Sequence, residues 1–169
     1  YQTSQEPPVK RQTVNGKEVA VKDKDGRCVP HYENLKIRKN VMVMYCPIDA
    51  DFSLGYSENE NGTQYSQLKG WSDLFYKQGL HDNIIVWGYS LAVMNYLIPL
   101  YNFGTFSAHY RFYEECGVHY IDDQSYASSG IPCFEALQIY VQSKLMYDTS
   151  LNYNDLAYDF IDHYYGEAG

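Results

Sequence analysis

The sequence predicts an α/β protein, the C-terminal half of a (β/α)8 TIM-like barrel with parallel strands, outer helices and a small β-meander insertion. Three observations carry this. Short apolar runs alternate with stretches of helical periodicity, three times over. The runs do not alternate polar with apolar, so they fit strands buried on both faces, as in a parallel sheet. Three such strands and an extended segment at Tyr1 make about four, half of the eight that a barrel needs. An open flavodoxin-like sheet fits the same alternation. It normally begins with a phosphate-binding or acidic first loop, and no G-x-G-x-x-G or P-loop occurs.

Residues 1–169 read as a single partial domain. The chain starts at Tyr1 rather than Met and stops at a helix end, Tyr165-Gly166-Glu167-Ala168-Gly169, so both ends read as cut from something longer. Pro7-Pro8 biases the first segment toward extended backbone. Residues 10–38 read as a loop carrying a β-hairpin insertion, because Asn15-Gly16 and Asp25-Gly26 are tight-turn signals and Val19 and Val21 alternate between them. The first buried strand is Asn40-Val41-Met42-Val43-Met44-Tyr45, ending at Cys46-Pro47. A helix over 64–77 follows, with Leu68, Trp71, Leu74 and Phe75 on one stripe and Gly79 near its end. The second strand is Asn83-Ile84-Ile85-Val86-Trp87, and after a long loop Phe106 to Cys116 is helical, closed by Gly117. The third strand is Val118-His119-Tyr120-Ile121, with a loop from Asp122 to Pro132. Two helices end the chain. Phe134, Leu137, Val141 and Leu145 mark the first; Leu156, Phe160, Ile161 and Tyr164 mark the second, with Asn152 as its N-cap.

A formal charge of −8 argues against nucleic acid, whose phosphates demand a basic surface. No apolar run is long enough to span a membrane. The 19 Tyr, 7 Phe and 2 Trp are the unusual feature of the composition, which a Tyr-heavy core explains as well as a glycan-binding cleft. Cys28, Cys46, Cys116 and Cys133 form no C-x-x-C and stand at no zinc spacing to the five histidines, so they read as free thiols, and no metal site is expected.

In a parallel β/α protein the chemistry sits at the C-terminal strand ends. After the first strand stand Asp49 and Asp51, in Pro47-Ile48-Asp49-Ala50-Asp51-Phe52; they are candidate acid, base or nucleophile, or else turn caps. After the second stand Trp87 and Tyr89, a stacking platform for a sugar ring or part of the core, with Gly88 leaving room between them. After the third come Asp122, Asp123 and Gln124; neighbouring side chains alternate in direction, so one of the two acids aims inward. Asp49, Asp51 and Asp123 are the catalytic candidates. Trp87, Tyr89, Asn102 and Gln124 are the candidate sugar contacts. Paired carboxylates across such a mouth suit glycoside hydrolysis, which needs no cofactor.

The same residues, in order, resemble the bacterial domain-of-unknown-function family 4838. The resemblance runs from Tyr1 with Pro7-Pro8 to Asn40-Val41 and Ile48-Asp49-Ala50-Asp51-Phe52, where the family has I-E-C-D-F. It continues through Leu68-Lys69-Gly70-Trp71, Val86-Trp87-Gly88-Tyr89, Tyr96-Leu97-Ile98-Pro99 with Asn102, Phe112-Tyr113, Gly117-Val118, Tyr140 to Leu145 and Tyr164-Tyr165-Gly166. The resemblance implies a glycoside-hydrolase-like barrel related to α-glucuronidase-type enzymes, acting on an oligosaccharide or polysaccharide and partnered by the missing N-terminal half. It leaves open a non-catalytic glycan-binding barrel, or a structural fragment that needs that half. An extracellular or cell-surface bacterial setting is favoured. Two departures stand out: Gly88 replaces the acid of the family's W-D-Y, and Asp123-Gln124-Ser125 lacks the family's Gly after E-Q.

Overall fold

The computed structural model describes residues 6–57, 59–90, 102–124 and 134–168. A hairpin comes first, β1 (Arg11–Val14) paired antiparallel with β2 (Lys17–Ala20). Asn15 and Gly16 both take positive φ, 50° and 77°, the requirement of a two-residue turn that matches strand twist. Both strands are largely exposed. The chain then builds β3 (Val43–Tyr45), α1 (Gly62–Tyr76), β4 (Ile84–Tyr89), α2 (Phe106–Glu115), β5 (Val118–Gln124), α3 (Glu135–Tyr147) and α4 (Tyr153–Tyr165). Asn152 caps α4, its side chain accepting from the amides of Asn154 and Asp155.

The described sheet has three parallel strands in the order β3-β4-β5. Ile84 stands opposite Val118, yet Ile85 stands opposite Tyr120, so β5 carries one extra residue at His119. That bulge resets the phase of the pleat. Beyond it Ile121 pairs with Val86 and Asp123 with Gly88. Ile84, Val86 and Gly88 are buried and share a face, so the bulge turns Asp123 into that same face. Helices cover it: Leu68 and Phe75 of α1, Tyr110 and Tyr113 of α2, and Val141 and Leu145 of α3 pack with Tyr45, Ile84 and Val86 in one core. The other face is different. Met44 and Tyr120 there are 51% and 54% exposed, so burial of the strands on both faces does not hold among the described residues.

The half barrel expected from the sequence is not what the chain forms. It is a small α/β fold with four α-helices, one two-stranded antiparallel sheet and one three-stranded parallel sheet among the described residues. Among the described residues neither outer strand, β3 or β5, has a further partner, and none of them closes the sheet. After β5 the alternation stops: α3 runs into α4 across Asp148–Asn152 with no strand between. Repeated strand–helix units specify parallel pairing. Closure depends on tilt and stagger, which periodicity does not encode. The extended segment at Tyr1 lies outside the described residues.

α1 has two working faces. Leu68 and Phe75 meet the sheet, while Leu74 packs with Val9 and Cys28 of the N-terminal segment. Gly70 is needed on this second face, because a β-carbon there would lie 2.4 Å from Pro7 Cγ. Asp73, 4% exposed, accepts from the Cys28 amide at 2.9 Å and from Arg27 at 3.2 Å. Arg27 also lies 3.4 Å from the centre of the Tyr76 ring. Lys77 donates to the Cys28 carbonyl and to Asp23. Replacing Asp73 by Ala leaves a buried amide without an acceptor, so a loss of about 1–3 kcal/mol is expected in urea denaturation. A change within ±0.5 kcal/mol would show that the segment is held by its apolar contacts instead.

Candidate functional site

The C-terminal ends of β4 and β5 meet the start of α2 and the middle of α3 around Asp123. Its Oδ2 accepts from the Tyr110 hydroxyl at 3.2 Å and from Gln142 Nε2 at 2.7 Å. Gln142 Nε2 also reaches Ser90 Oγ at 2.7 Å, and Gln138 Nε2 donates to the Ser90 carbonyl at 2.8 Å. Asp123 Oδ1 is buried and has no hydrogen-bond partner among the described residues. Asn102 Oδ1, on a side chain 2% exposed, is in the same state. Both residues line one small cavity of about 10 Å³ with Phe52, Tyr89, Ser90 and His109. Aromatic rings close round it: Phe52 lies 6.3 Å from Tyr89 and 6.3 Å from His109, centre to centre.

Charge is suppressed here. Burial is the largest influence on Asp123 and holds its carboxyl above the ordinary 3.8, against the opposing pull of the polar groups of Ser90 and Tyr110 beside it. Burial likewise lowers His109 below 6.5. The Leu54 carbonyl, 2.7 Å from His109 Nε2, can only accept a hydrogen bond there, so the neutral ring carries its hydrogen on Nε2. Burial also raises Tyr110 and Tyr113 well above 10, so their hydroxyls remain donors. Cys28 and Cys116 are pushed up to about 11 and about 12, far from thiolate chemistry.

The raised carboxyl of Asp123 has a sign consequence for stability. The folded state binds this proton more tightly than the unfolded chain does. Its contribution is therefore fully present below the ordinary 3.8 and is lost as pH rises through the raised folded value. Asp51, whose pKa is lowered, contributes in the opposite sense. In matched denaturation series, the stability of the natural chain minus that of Asp123→Asn should fall steadily as pH rises from about 4. A flat difference would mean that Asp123 titrates as it does in the unfolded chain.

A family model described as a domain of unknown function, DUF4838, matches residues 29–169. The chain belongs to the DUF4838 family. No curated protein and no solved structure matches it. The match begins beyond the β1–β2 hairpin, at the point where the Arg27-Cys28 segment docks on α1.

The sequence candidates fall in three places in this DUF4838 chain. Asp123, Asn102 and Tyr89 line one cavity. Trp87 and Gln124 lie on the other side of the sheet from Asp123, and Trp87 Nε1 donates to Gln124 Oε1 at 3.4 Å. Asp49 and Asp51 stand exposed on the loop after β3 and are not among the described lining residues. Asp51 is occupied as a turn cap, taking the amide and hydroxyl of Ser53 at 3.0 and 2.6 Å. Asn61 ties down this loop, its side chain bonded to both backbone groups of Asp51 and to the Gly55 carbonyl. Phe52, from the same loop, is the residue that reaches the cavity. Sequence reading missed Phe52, Ser90, Tyr110 and Gln142. The one available signal was helical spacing, since Phe106, His109, Tyr110 and Tyr113 share a face of α2.

Proposed function

We propose that this DUF4838 chain is a carbohydrate-active protein of the glycoside-hydrolase type, in which Asp123 carries the proton given to a glycan oxygen. One observation carries the reading: Asp123 is a half-buried residue at a parallel-strand end, its carboxyl tilted toward the protonated form and its Oδ1 buried and unpartnered beside an aromatic cavity. A general acid requires that state of a carboxyl. Phe52 and Tyr89 wall the cavity, and Asn102 offers an acceptor to a sugar hydroxyl that enters it. Asp49, uncommitted to a turn cap, is the second carboxylate in this reading, with Asp51 shaping its loop. Trp87 and Gln124, on the far face, are the weakest members of the contact set. The ligand is an oligosaccharide or polysaccharide, and the chemistry uses no metal or organic cofactor.

A second reading, a glycan-binding module without turnover, is favoured by the presence of a single carboxylate, Asp123, among the described lining residues. Turnover of aryl glycosides and oligosaccharides separates the two. Asp123→Asn should lower kcat/KM by about 10²-fold or more while glycan binding persists. Unchanged turnover in that variant removes Asp123 as the acid. Binding on a glycan array with no turnover of any member assigns the module reading.

A further inference from the structure

We infer that the cavity between Asp123 and Asn102 seats an uncharged sugar hydroxyl and discriminates against uronic acids. The inference rests on the glycan reading above and narrows its substrate class. Its basis is the pair of unpartnered oxygens. Asn102 Oδ1 only accepts, and it is buried without a donor among the described residues. A buried acceptor left unsatisfied carries its full desolvation penalty, which a ligand that supplies a donor relieves.

Three features choose the donor. The volume of about 10 Å³ admits one oxygen atom, the size of a hydroxyl rather than of a two-oxygen carboxylate. A hydroxyl both donates and accepts, so it satisfies Asn102 Oδ1 and suits Asp123 Oδ1 in either protonation state. Finally, the described lining holds no Lys or Arg, and its histidine is engaged with the Leu54 carbonyl. A uronate in the cavity would leave Asn102 unsatisfied and bring a charge beside Asp123 with no cation to meet it. A neutral sugar pays neither cost.

The test uses matched pairs of plant oligosaccharides, each neutral chain beside the same chain oxidised at C6 to the uronic acid, titrated calorimetrically into the purified protein. The neutral member should bind at least ten-fold more tightly. Asn102→Ala should bring the pair to within about two-fold, mainly by weakening the neutral member; Asn102→Ser serves the same purpose if the alanine variant does not fold. Oxidised chains that bind equally or better overturn this inference and leave the glycan reading standing. A ten-fold preference that survives loss of the Asn102 amide also overturns it. If no member of any pair binds, the cavity holds a water only, and the inference falls together with the reading beneath it.

Discussion

Gly88→Asp should destabilise the chain by about 3 kcal/mol or more, the combined cost of overpacking and of a second buried acid. A β-carbon at Gly88 would stand 2.9 Å from Asp123 Oδ1, 3.0 Å from Cγ and 3.1 Å from Oδ2. Those contacts are with the whole carboxyl head rather than with the end of a flexible chain. The head cannot simply swing away, because Tyr110 and Gln142 hold Oδ2 from two different helices. An Asp at this position also puts two carboxyls together in a buried site, and like charges so close cannot both ionise. Gly88→Ala isolates the steric part, for which about 1–3 kcal/mol is expected. Equal losses in the two variants would show that the second charge costs nothing. Wild-type stability in Gly88→Asp would show that the Asp123 head is free to leave.

This geometry reframes the departure from the W-D-Y pattern. The space above Gly88 is not empty, since the carboxyl of Asp123 fills it from the neighbouring strand. An acid therefore still stands at that strand end, on β5 rather than β4. The functional reading depends on which acid reaches the cavity, and a single position of the motif does not decide that.

The sequence and the structure agree where short-range physics is sufficient. Apolar runs such as Ile84-Ile85-Val86 mark parallel strands, and the Leu68–Phe75 stripe marks the core face of α1. Asn15-Gly16 is a turn on local grounds alone. Agreement fails where long-range geometry decides. The third strand runs on through Gln124 instead of ending at Ile121, because pairing with Trp87, Gly88 and Tyr89 overrides the polar character of Asp122-Asp123-Gln124. The bulge at His119 has no distinct sequence mark, yet it determines which aspartate faces inward. Gln142, half a helix away from any strand end, reaches the site only because α3 packs across β4 and β5. Asp49 and Asp51 had the right position for catalysis by chain order. The Ser53 contacts that commit Asp51 to a turn are equally local and were as legible as the motif.

Phe75→Ala should cost about 3–5 kcal/mol, the range for deleting a fully buried aromatic ring. Phe75 is 1% exposed and sits in the main core with Ile84 and Val86 of β4, the strand that carries Gly88. Removing it leaves a void between α1 and the sheet that the neighbouring Trp71 ring, 6.4 Å away, can fill only in part. Phe75→Leu, which keeps most of the volume, should lose much less. The contrast with Asp73 is informative. Two residues apart on a helix, the side chains face different ways. Asp73 holds Arg27 and Cys28, whereas Phe75 holds the sheet, and the two share no partner in those contacts. Their losses should therefore add in the double variant to within about 0.5 kcal/mol. Strong non-additivity in chemical denaturation would mean that the N-terminal segment and the sheet stabilise α1 as one cooperative unit. In that case the hairpin side, outside the family match, would support the candidate site from a distance through the helix between them.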